Sequence, residues 1–122
     1  MMSLFRRRAN RVSVDEAHRR TRRDDAPAVL LDVRERAEWN VGHAPGAVLA
    51  PLSRLAAGAA VPSVAQAMPL VVICRSGRRS QQAAELLTQR GHDAVDVKGG
   101  MQAWAAAGLP VVDERGNDGS IA

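Results

Sequence analysis

Cysteine 74 is followed by residues whose types could make its thiol reactive. The sequence RSGRRS brings three arginines and a glycine between an apolar run and a helical pattern. A thiol is a useful nucleophile only as the thiolate, which cationic side chains, a helix N-terminus and inward-facing backbone amides all stabilise. The same groups bind a dianionic substrate. We therefore predict that Cys74 is a nucleophile in a loop that binds an anion through Arg75, Ser76, Gly77, Arg78, Arg79 and Ser80.

A cysteine that ends a strand is, taken alone, more often a small buried apolar residue. Here the three arginines favour the reactive interpretation, as does Gly77, which can adopt a positive φ and turn successive N–H groups inward. The chain has one cysteine and three widely separated histidines. These numbers exclude an intrachain disulfide and a multi-cysteine zinc site. We expect no metal and no cofactor.

Strand-like and helix-like patterns alternate along the chain and would position this loop. Apolar runs of strand length occupy residues 29–33, 47–50, 70–74 and 94–97. Helical patterns occupy residues 13–23, 34–40, 52–59, 81–90 and 101–107. Trp39 and Trp104 are expected to anchor their helices in the core. The alternation predicts an α/β fold with a mostly parallel sheet and helices on both faces. Functional groups of such sheets gather at the carboxyl ends of the strands, where Cys74 lies.

Composition and charge restrict the partners of the chain. Of its 122 residues 46% are hydrophobic and 25% charged, as in a small globular domain. Eight arginines lie within residues 1–23, but the chain has only three aromatic residues, so we predict no nucleic-acid partner. No apolar run approaches the ~18 residues of a membrane span, and the start lacks a signal-peptide pattern. We therefore expect no membrane partner and a cytoplasmic location.

Three blocks of the sequence resemble the signature blocks of the rhodanese family of sulfurtransferases. They are VLLDVRERAEWNVGHAPGAV, VVICRSGRRS and VKGGMQAWAAAGLPV, in the order and spacing of that family, and the resemblance extends over about residues 12–112. It implies a rhodanese-like domain at residues 11–113 with a five-stranded, mostly parallel sheet and helices on both faces. A disordered basic segment, residues 1–10, would precede this domain, and a flexible tail, residues 114–122, would follow it.

The resemblance also implies an activity. Cys74 would take sulfane sulfur from a donor such as thiosulfate, become a persulfide and pass the sulfur to a thiol, cyanide or protein acceptor. The six residues from Cys74 to Arg79 would form the active-site loop. Because no second cysteine can resolve the persulfide into an internal disulfide, the sulfur must leave to an outside acceptor.

Three further residues match the family blocks and are expected to support the site. Asp32 and Arg34 match an Asp-Val-Arg block at a strand end, and we interpret them as an ion pair that ties loops together. His43 matches a Gly-His pair in a loop. Persulfide chemistry on an ionised thiol needs no general base, so we interpret His43 as fixing its loop.

Two other functions stay open at this point. The first is a phosphatase or arsenate reductase, since related folds use the same strand–cysteine–loop–helix device on tetrahedral oxyanions. Their loop is typically one residue longer, with arginine six positions after the cysteine. Ser80 occupies that position here, and Arg79 could enter the loop or pair with an acid such as Glu35. The second is a non-catalytic rhodanese-like binding module; such domains usually lose the cysteine, which this chain keeps.

Overall fold

The computed structural model describes residues 10–23 and 25–122, which form one five-stranded sheet with helices packed against it. The strands are β1 (Arg11–Val12), β2 (Val29–Asp32), β3 (Val48–Leu49), β4 (Leu70–Ile73) and β5 (Ala94–Val97). The helices are α1 (Val14–Thr21), α2 (Arg36–Val41), α3 (Leu52–Ala56), α4 (Arg79–Gln89) and α5 (Gly100–Ala106), with a 3-10 turn at Ser63–Ala65. Every strand pair is parallel, in the order β1–β5–β4–β2–β3. This confirms the predicted α/β class and its five-stranded sheet.

The central strand β4 separates two apolar cores. All four of its residues are buried, and successive side chains of a strand point to opposite faces. One core joins Leu70, Val72 and Cys74 to α3 and α4, and the other joins Val71 and Ile73 to α1 and α5. The sheet is therefore covered on both faces, as its continuous apolar strands predict. Cys74 follows β4 directly and belongs to the first core.

Several local predictions differ from the structure. The sequence does not predict β1, because Arg11 and Val12 lie between the polar Asn10 and Ser13 and form no apolar run. α3 ends at Ala56 rather than near residue 59, since alanine favours helix wherever it stands and cannot mark a helix end. Trp104 is 2% exposed and anchors α5 as expected. The prediction that Trp39 is a core residue is wrong: it is half-buried, and no residue of α2 is buried.

The two ends of the chain differ in what the structure describes. The predicted disordered segment lies outside the described residues except for Asn10. Residues 114–122, expected as a flexible tail, lie against the domain. The amide of Gly119 donates to the carbonyl of Val111, and that of Ser120 donates to the carbonyl of Val41. In the described ranges, no helix has the length and apolar character needed to cross a bilayer.

The start of α5 is bonded to the loop that follows β4. The amide of Met101 donates to the carbonyl of Cys74 at 2.7 Å, and that of Gln102 donates to the carbonyl of Arg75 at 3.0 Å. Gly100 permits this approach, because its φ is +58° and a Cβ there would lie 2.4 Å from the carbonyl oxygen of Cys74. The first amides of α5, which have no partner within the helix, are thus satisfied by the loop carbonyls.

This contact predicts that Gly100→Ala is far more damaging than an alanine at another positive-φ glycine. Gly108 is the matched control, since its φ is +77° and a Cβ there meets nothing within 4 Å. Gly108→Ala should cost about 1 kcal/mol through backbone strain alone. Gly100→Ala should cost about 3 kcal/mol, because the clash with the loop backbone adds to that strain. Urea unfolding of both variants measures the difference, and equal losses would contradict the tight contact.

Candidate active site

The sulfur of Cys74 lies buried at the carboxyl end of β4, with hydrogen-bonding groups around it. Cys74 is 1% exposed. The backbone amide of Gly77 donates to Sγ at 3.1 Å, and Oγ of Ser80 lies 3.4 Å from Sγ. Gly77 has a φ of +103°, and a Cβ there would lie 3.1 Å from both Nη2 of Arg11 and the amide nitrogen of Gly99. Only glycine therefore fits the turn that aims this amide at the sulfur.

These contacts set the charge state of the thiol. Burial raises the pKa of the Cys74 thiol, but the hydrogen bonds from the Ser80 hydroxyl and from the backbone amides of Ser80, Gly77 and Ser76 outweigh burial. The pKa of Cys74 is therefore lower than that of an ordinary cysteine. α4 begins beside the loop at Arg79 and runs for 11 residues, so its positive end adds to the stabilisation of a negative sulfur.

The three arginines of the loop have different surroundings. Arg79 forms a bidentate ion pair with Glu38 of α2, in which Nη1 donates to Oε1 at 2.7 Å and Nη2 donates to Oε2 at 2.8 Å. This pair lowers the pKa of Glu38 to about 2. Glu35, considered above as a partner of Arg79, accepts a bond from Ser53 instead. Arg75 donates through Nε to the carbonyl of Ala122 at 2.6 Å.

Arg78 is the loop arginine with no side-chain hydrogen bond or ion pair among the described residues, and it is exposed. The structure thus holds two of the three arginines in other contacts and leaves Arg78 available to an incoming anion. A guanidinium that forms bidentate hydrogen bonds with a carboxylate has few donors left for a substrate. This is why the structure does not bring Arg79 into the loop as a substrate contact.

Asp32 and Arg34 form a fully buried ion pair at the end of β2. Nη2 of Arg34 lies 2.8 Å from Oδ2 of Asp32 and donates to the carbonyl of Gly42 at 2.7 Å. Both side chains are 0% exposed. The pair connects the end of β2 to the carbonyl of Gly42, beside His43.

His43 contacts the polypeptide rather than the sulfur. Its Nδ1 lies 2.9 Å from the carbonyl oxygen of Trp39, and its ring stacks on the indole with centroids 3.6 Å apart. The backbone amides of His43 and Val112 each donate to the carbonyl of the other residue at 2.8 Å. These contacts hold the loop between α2 and β3 against the later chain.

Sequence reasoning missed the groups that lie behind the loop. Asp96 of β5 is fully buried and accepts a bond from the Ser80 hydroxyl at 3.0 Å. Arg11 of β1 bonds both oxygens of Asp96, at 3.0 and 3.2 Å, and donates to the carbonyl of Gly77 at 2.9 Å. A carboxylate inside the apolar run AVDV was the available signal, since a buried acid requires a partner. Nothing in the sequence indicated that the partner is Arg11.

The described residues contain no group of three histidine, cysteine or acidic side chains that could hold a metal ion. The chemistry that the site offers is nucleophilic: a buried sulfur with a lowered pKa, amide donors on one side and an unengaged cation nearby. Such a sulfur can attack an electrophilic atom of an anionic donor.

Comparisons with known proteins agree with this geometry. A family model described as "Rhodanese-like domain" matches residues 13–107. A protein named "Sulfurtransferase" from Allochromatium vinosum is 35% identical over 94 residues, which are 76% of this chain and 86% of the relative. The "Probable adenylyltransferase/sulfurtransferase MoeZ" of Mycobacterium tuberculosis is 38% identical over 77 residues, and the match covers 62% of this chain but 20% of that protein.

Among solved structures, a rhodanese-related protein from Thermoplasma volcanium superposes with a TM-score of 0.73 at 30% identity. The match covers 86% of this chain and 99% of that one. The family model spans most of the chain and the Allochromatium vinosum relative is matched over most of its own length. The chain therefore belongs to the family of rhodanese-like domains.

Proposed function

We propose that the chain is a sulfurtransferase that carries sulfane sulfur on Cys74. The observation that carries the proposal is the geometry of the sulfur, which accepts a bond from the Gly77 amide at 3.1 Å and lies 3.4 Å from the Ser80 hydroxyl. Because these bonds lower the pKa of Cys74 despite its burial, the thiolate forms at a lower pH than that of an ordinary cysteine. The relatives named as sulfurtransferases support the same reaction class.

In the first step the Cys74 thiolate attacks the outer sulfur of a donor such as thiosulfate. A new S–S bond forms on Sγ while the S–S bond of thiosulfate breaks, and sulfite leaves with the bonding electron pair. Charge balances, because thiolate and dianion become a persulfide anion and the sulfite dianion. The amides that stabilise the thiolate also face the charge that moves onto the outer sulfur.

In the second step an external nucleophile attacks the outer sulfur of the persulfide. With cyanide the products are thiocyanate and the regenerated Cys74 thiolate, so no oxidant or reductant is consumed. The chain contains one cysteine, which excludes resolution by a second thiol of the same chain. A thiol or a protein would serve as acceptor by the same attack.

The exposed arginine of the loop supports binding of an anionic donor. Arg78 is free of side-chain partners among the described residues, whereas Arg79 is held by Glu38 and Arg75 by the chain at Ala122. We infer that Arg78 attracts the dianion to the loop mouth and that Arg75 and Arg79 hold the loop in shape. Asp32, Arg34 and His43 contribute by fixing neighbouring loops.

Phosphatase or arsenate reductase activity has less support. Phosphoryl transfer requires cationic groups around the equatorial oxygens of the transferred group. The position at which related enzymes carry arginine is Ser80, whose side chain is buried. The preceding arginine, Arg79, is bonded to Glu38. A non-catalytic binding module would not need the lowered pKa of Cys74.

The cellular setting is part of the proposal. The chain matches about a fifth of the length of MoeZ and 86% of the length of the Allochromatium vinosum relative. Its partners are therefore proposed only by chemistry, as a sulfane-sulfur donor and a nucleophilic acceptor. A cysteine that cycles between thiolate and persulfide requires reducing conditions, which favours the cytoplasm.

Loading of Cys74 tests the function directly. After incubation with thiosulfate, the intact mass of the wild-type protein should rise by one sulfur atom, and cyanide should remove that increment. Cys74→Ser should show no increment with an unchanged fold, since a serine hydroxyl is not ionised near neutral pH. Sulfite, which lacks a sulfane sulfur, is the control donor. A wild-type protein that gains no mass and instead hydrolyses an aryl phosphate would make the phosphatase alternative the better account.

The two neighbouring arginines should separate into binding and structural roles. Arg78→Ala should raise KM for thiosulfate about three- to tenfold with unchanged stability, because it removes one exposed cation worth about 1 kcal/mol to a bound anion. Arg79→Ala should leave KM within about twofold, since its guanidinium is bonded to Glu38. Steady-state kinetics on both variants checks this, and a larger KM effect at Arg79 would reverse the assignment.

Arg79→Ala should also reduce stability in a pH-dependent way. The pKa of Glu38 is lowered from 4.5 to about 2, so its pairing stabilises the fold above pH 4.5 and loses that effect as the pH falls towards 2. Both side chains are partly exposed, at 36% and 22%, and solvent screening limits the contribution to about 1 kcal/mol. Urea unfolding should therefore separate wild type from Arg79→Ala at pH 7 and bring them together near pH 2. A gap that persists at the lower pH would point to lost packing instead.

A further inference from the structure

An ion pair between the exposed Arg11 and the buried Asp96 connects two strands to the active-site loop. Asp96 of β5 is 0% exposed, and its two oxygens are bonded by Arg11 of β1. The same Arg11 donates to the carbonyl of Gly77, whose amide donates to the Cys74 sulfur. Oδ2 of Asp96 also lies 3.0 Å from Oγ of Ser80, which is 3.4 Å from Sγ. A continuous polar path thus runs from the sulfur to β1.

The Ser80 hydroxyl has one proton and two neighbours that accept it. When Cys74 is a neutral thiol, Sγ–H donates to Oγ of Ser80 and the hydroxyl donates to Asp96. When Cys74 is a thiolate, the sulfur accepts, so the hydroxyl turns towards Sγ and Asp96 keeps only its bonds from Arg11. A hydroxyl carries a single donor hydrogen, so the two arrangements exclude each other.

We propose that Asp96 is a positioning residue that competes with the Cys74 sulfur for the Ser80 proton, and that Arg11 weakens this competition by neutralising the carboxylate. Ionisation of Cys74 releases its proton to solvent, and rotation of the Ser80 hydroxyl accompanies it without any change of oxidation state. The proposal rests on the proposed function in taking Cys74 as the reacting sulfur. It goes beyond it in assigning roles to two residues that do not touch that sulfur.

The other charged groups around Cys74 are either neutralised by a partner or exposed to solvent. On the β2 side Asp32 and Arg34 neutralise each other, and Arg79 on α4 is neutralised by Glu38 on α2. Three further cations lie at the exposed rim of the loop and beside β5, namely Arg75, Arg78 and Lys98. Asp96 is the carboxylate that reaches the sulfur through a single intervening hydroxyl.

The two members of the pair should therefore change thiolate reactivity in opposite directions. Asp96→Asn removes the competing negative charge and leaves the Arg11 cation in place, so the thiolate should form at lower pH. Arg11→Gln leaves the carboxylate uncompensated, so the thiolate should form at higher pH. A like charge near a thiol disfavours its ionised form, and an opposite charge favours it.

The experiment measures iodoacetamide alkylation of Cys74 against pH in the full-length chain, followed by intact mass. Below the titration midpoint, Asp96→Asn should react about three- to tenfold faster than wild type and Arg11→Gln slower by a similar factor. The double variant Arg11→Gln/Asp96→Asn should return to within about twofold of wild type. It supplies the second arm of the test if Arg11→Gln alone does not fold.

Asp25→Asn is the matched control for charge, since Asp25 is an exposed carboxylate that is paired with Arg23 and precedes the amino end of β2, and it should leave the profile unchanged. In a Ser80→Ala background, the acceleration by Asp96→Asn should fall to less than half. A profile that does not move in Asp96→Asn, that moves the same way in both single variants, or that moves undiminished without Ser80 overturns the proposal. Alkylation needs no sulfur donor, so these outcomes are independent of whether thiosulfate loads Cys74.

Discussion

The burial of one sulfur atom is the constraint on which the rest of the site depends. A charged sulfur at 1% exposure loses the stabilisation of water, so donors of the polypeptide must replace it. The amides of the loop supply these donors at the sulfur, and the carbonyls of Cys74 and Arg75 are bonded by the first amides of α5. Gly100 at the start of α5 and Gly77 in the loop follow from this requirement, because both backbones must approach closely.

Pairing of charge is the second consequence of that burial. Arg34, Arg79 and Arg11 each lie opposite a carboxylate, and these pairs join β2, α2 and β1 to the elements around the loop. A buried guanidinium or carboxylate without a partner would cost several kcal/mol. The sequence around the site is therefore rich in arginine, but carboxylates neutralise three of these arginines. Two loop arginines are not paired with a carboxylate among the described residues. Arg75 donates to the carbonyl of Ala122, and the exposed Arg78 lies where an anion could approach from solvent.

The sequence allowed prediction of what depends on local pattern. Long apolar runs identified β2, β4 and β5, and the strand–cysteine–arginine–glycine order identified the loop. The pairing of Arg11 with Asp96 joins residues 85 positions apart, and no local pattern encodes such a contact. The half-burial of Trp39 is also set by a contact that the sequence does not reveal. Its ring stacks on that of His43 outside the core instead of packing into the core. The contacts of residues 114–122 were missed because polar, glycine-rich sequence carries no hydrophobic period.

The residue six positions after the cysteine decides which chemistry the loop suits. An arginine there would present a fork of donors to the oxygens of a transferred phosphoryl group. Ser80 presents one hydroxyl, which lies between the sulfur and a buried carboxylate. A single hydroxyl can follow the small change of charge as thiolate becomes persulfide, since both states are monoanions centred on sulfur. It cannot supply the several donors that a trigonal phosphoryl group requires. The carboxylate behind it would also oppose the additional negative charge of a phosphate held deep in the loop. These features support the proposal that the loop moves a sulfur atom on and off Cys74.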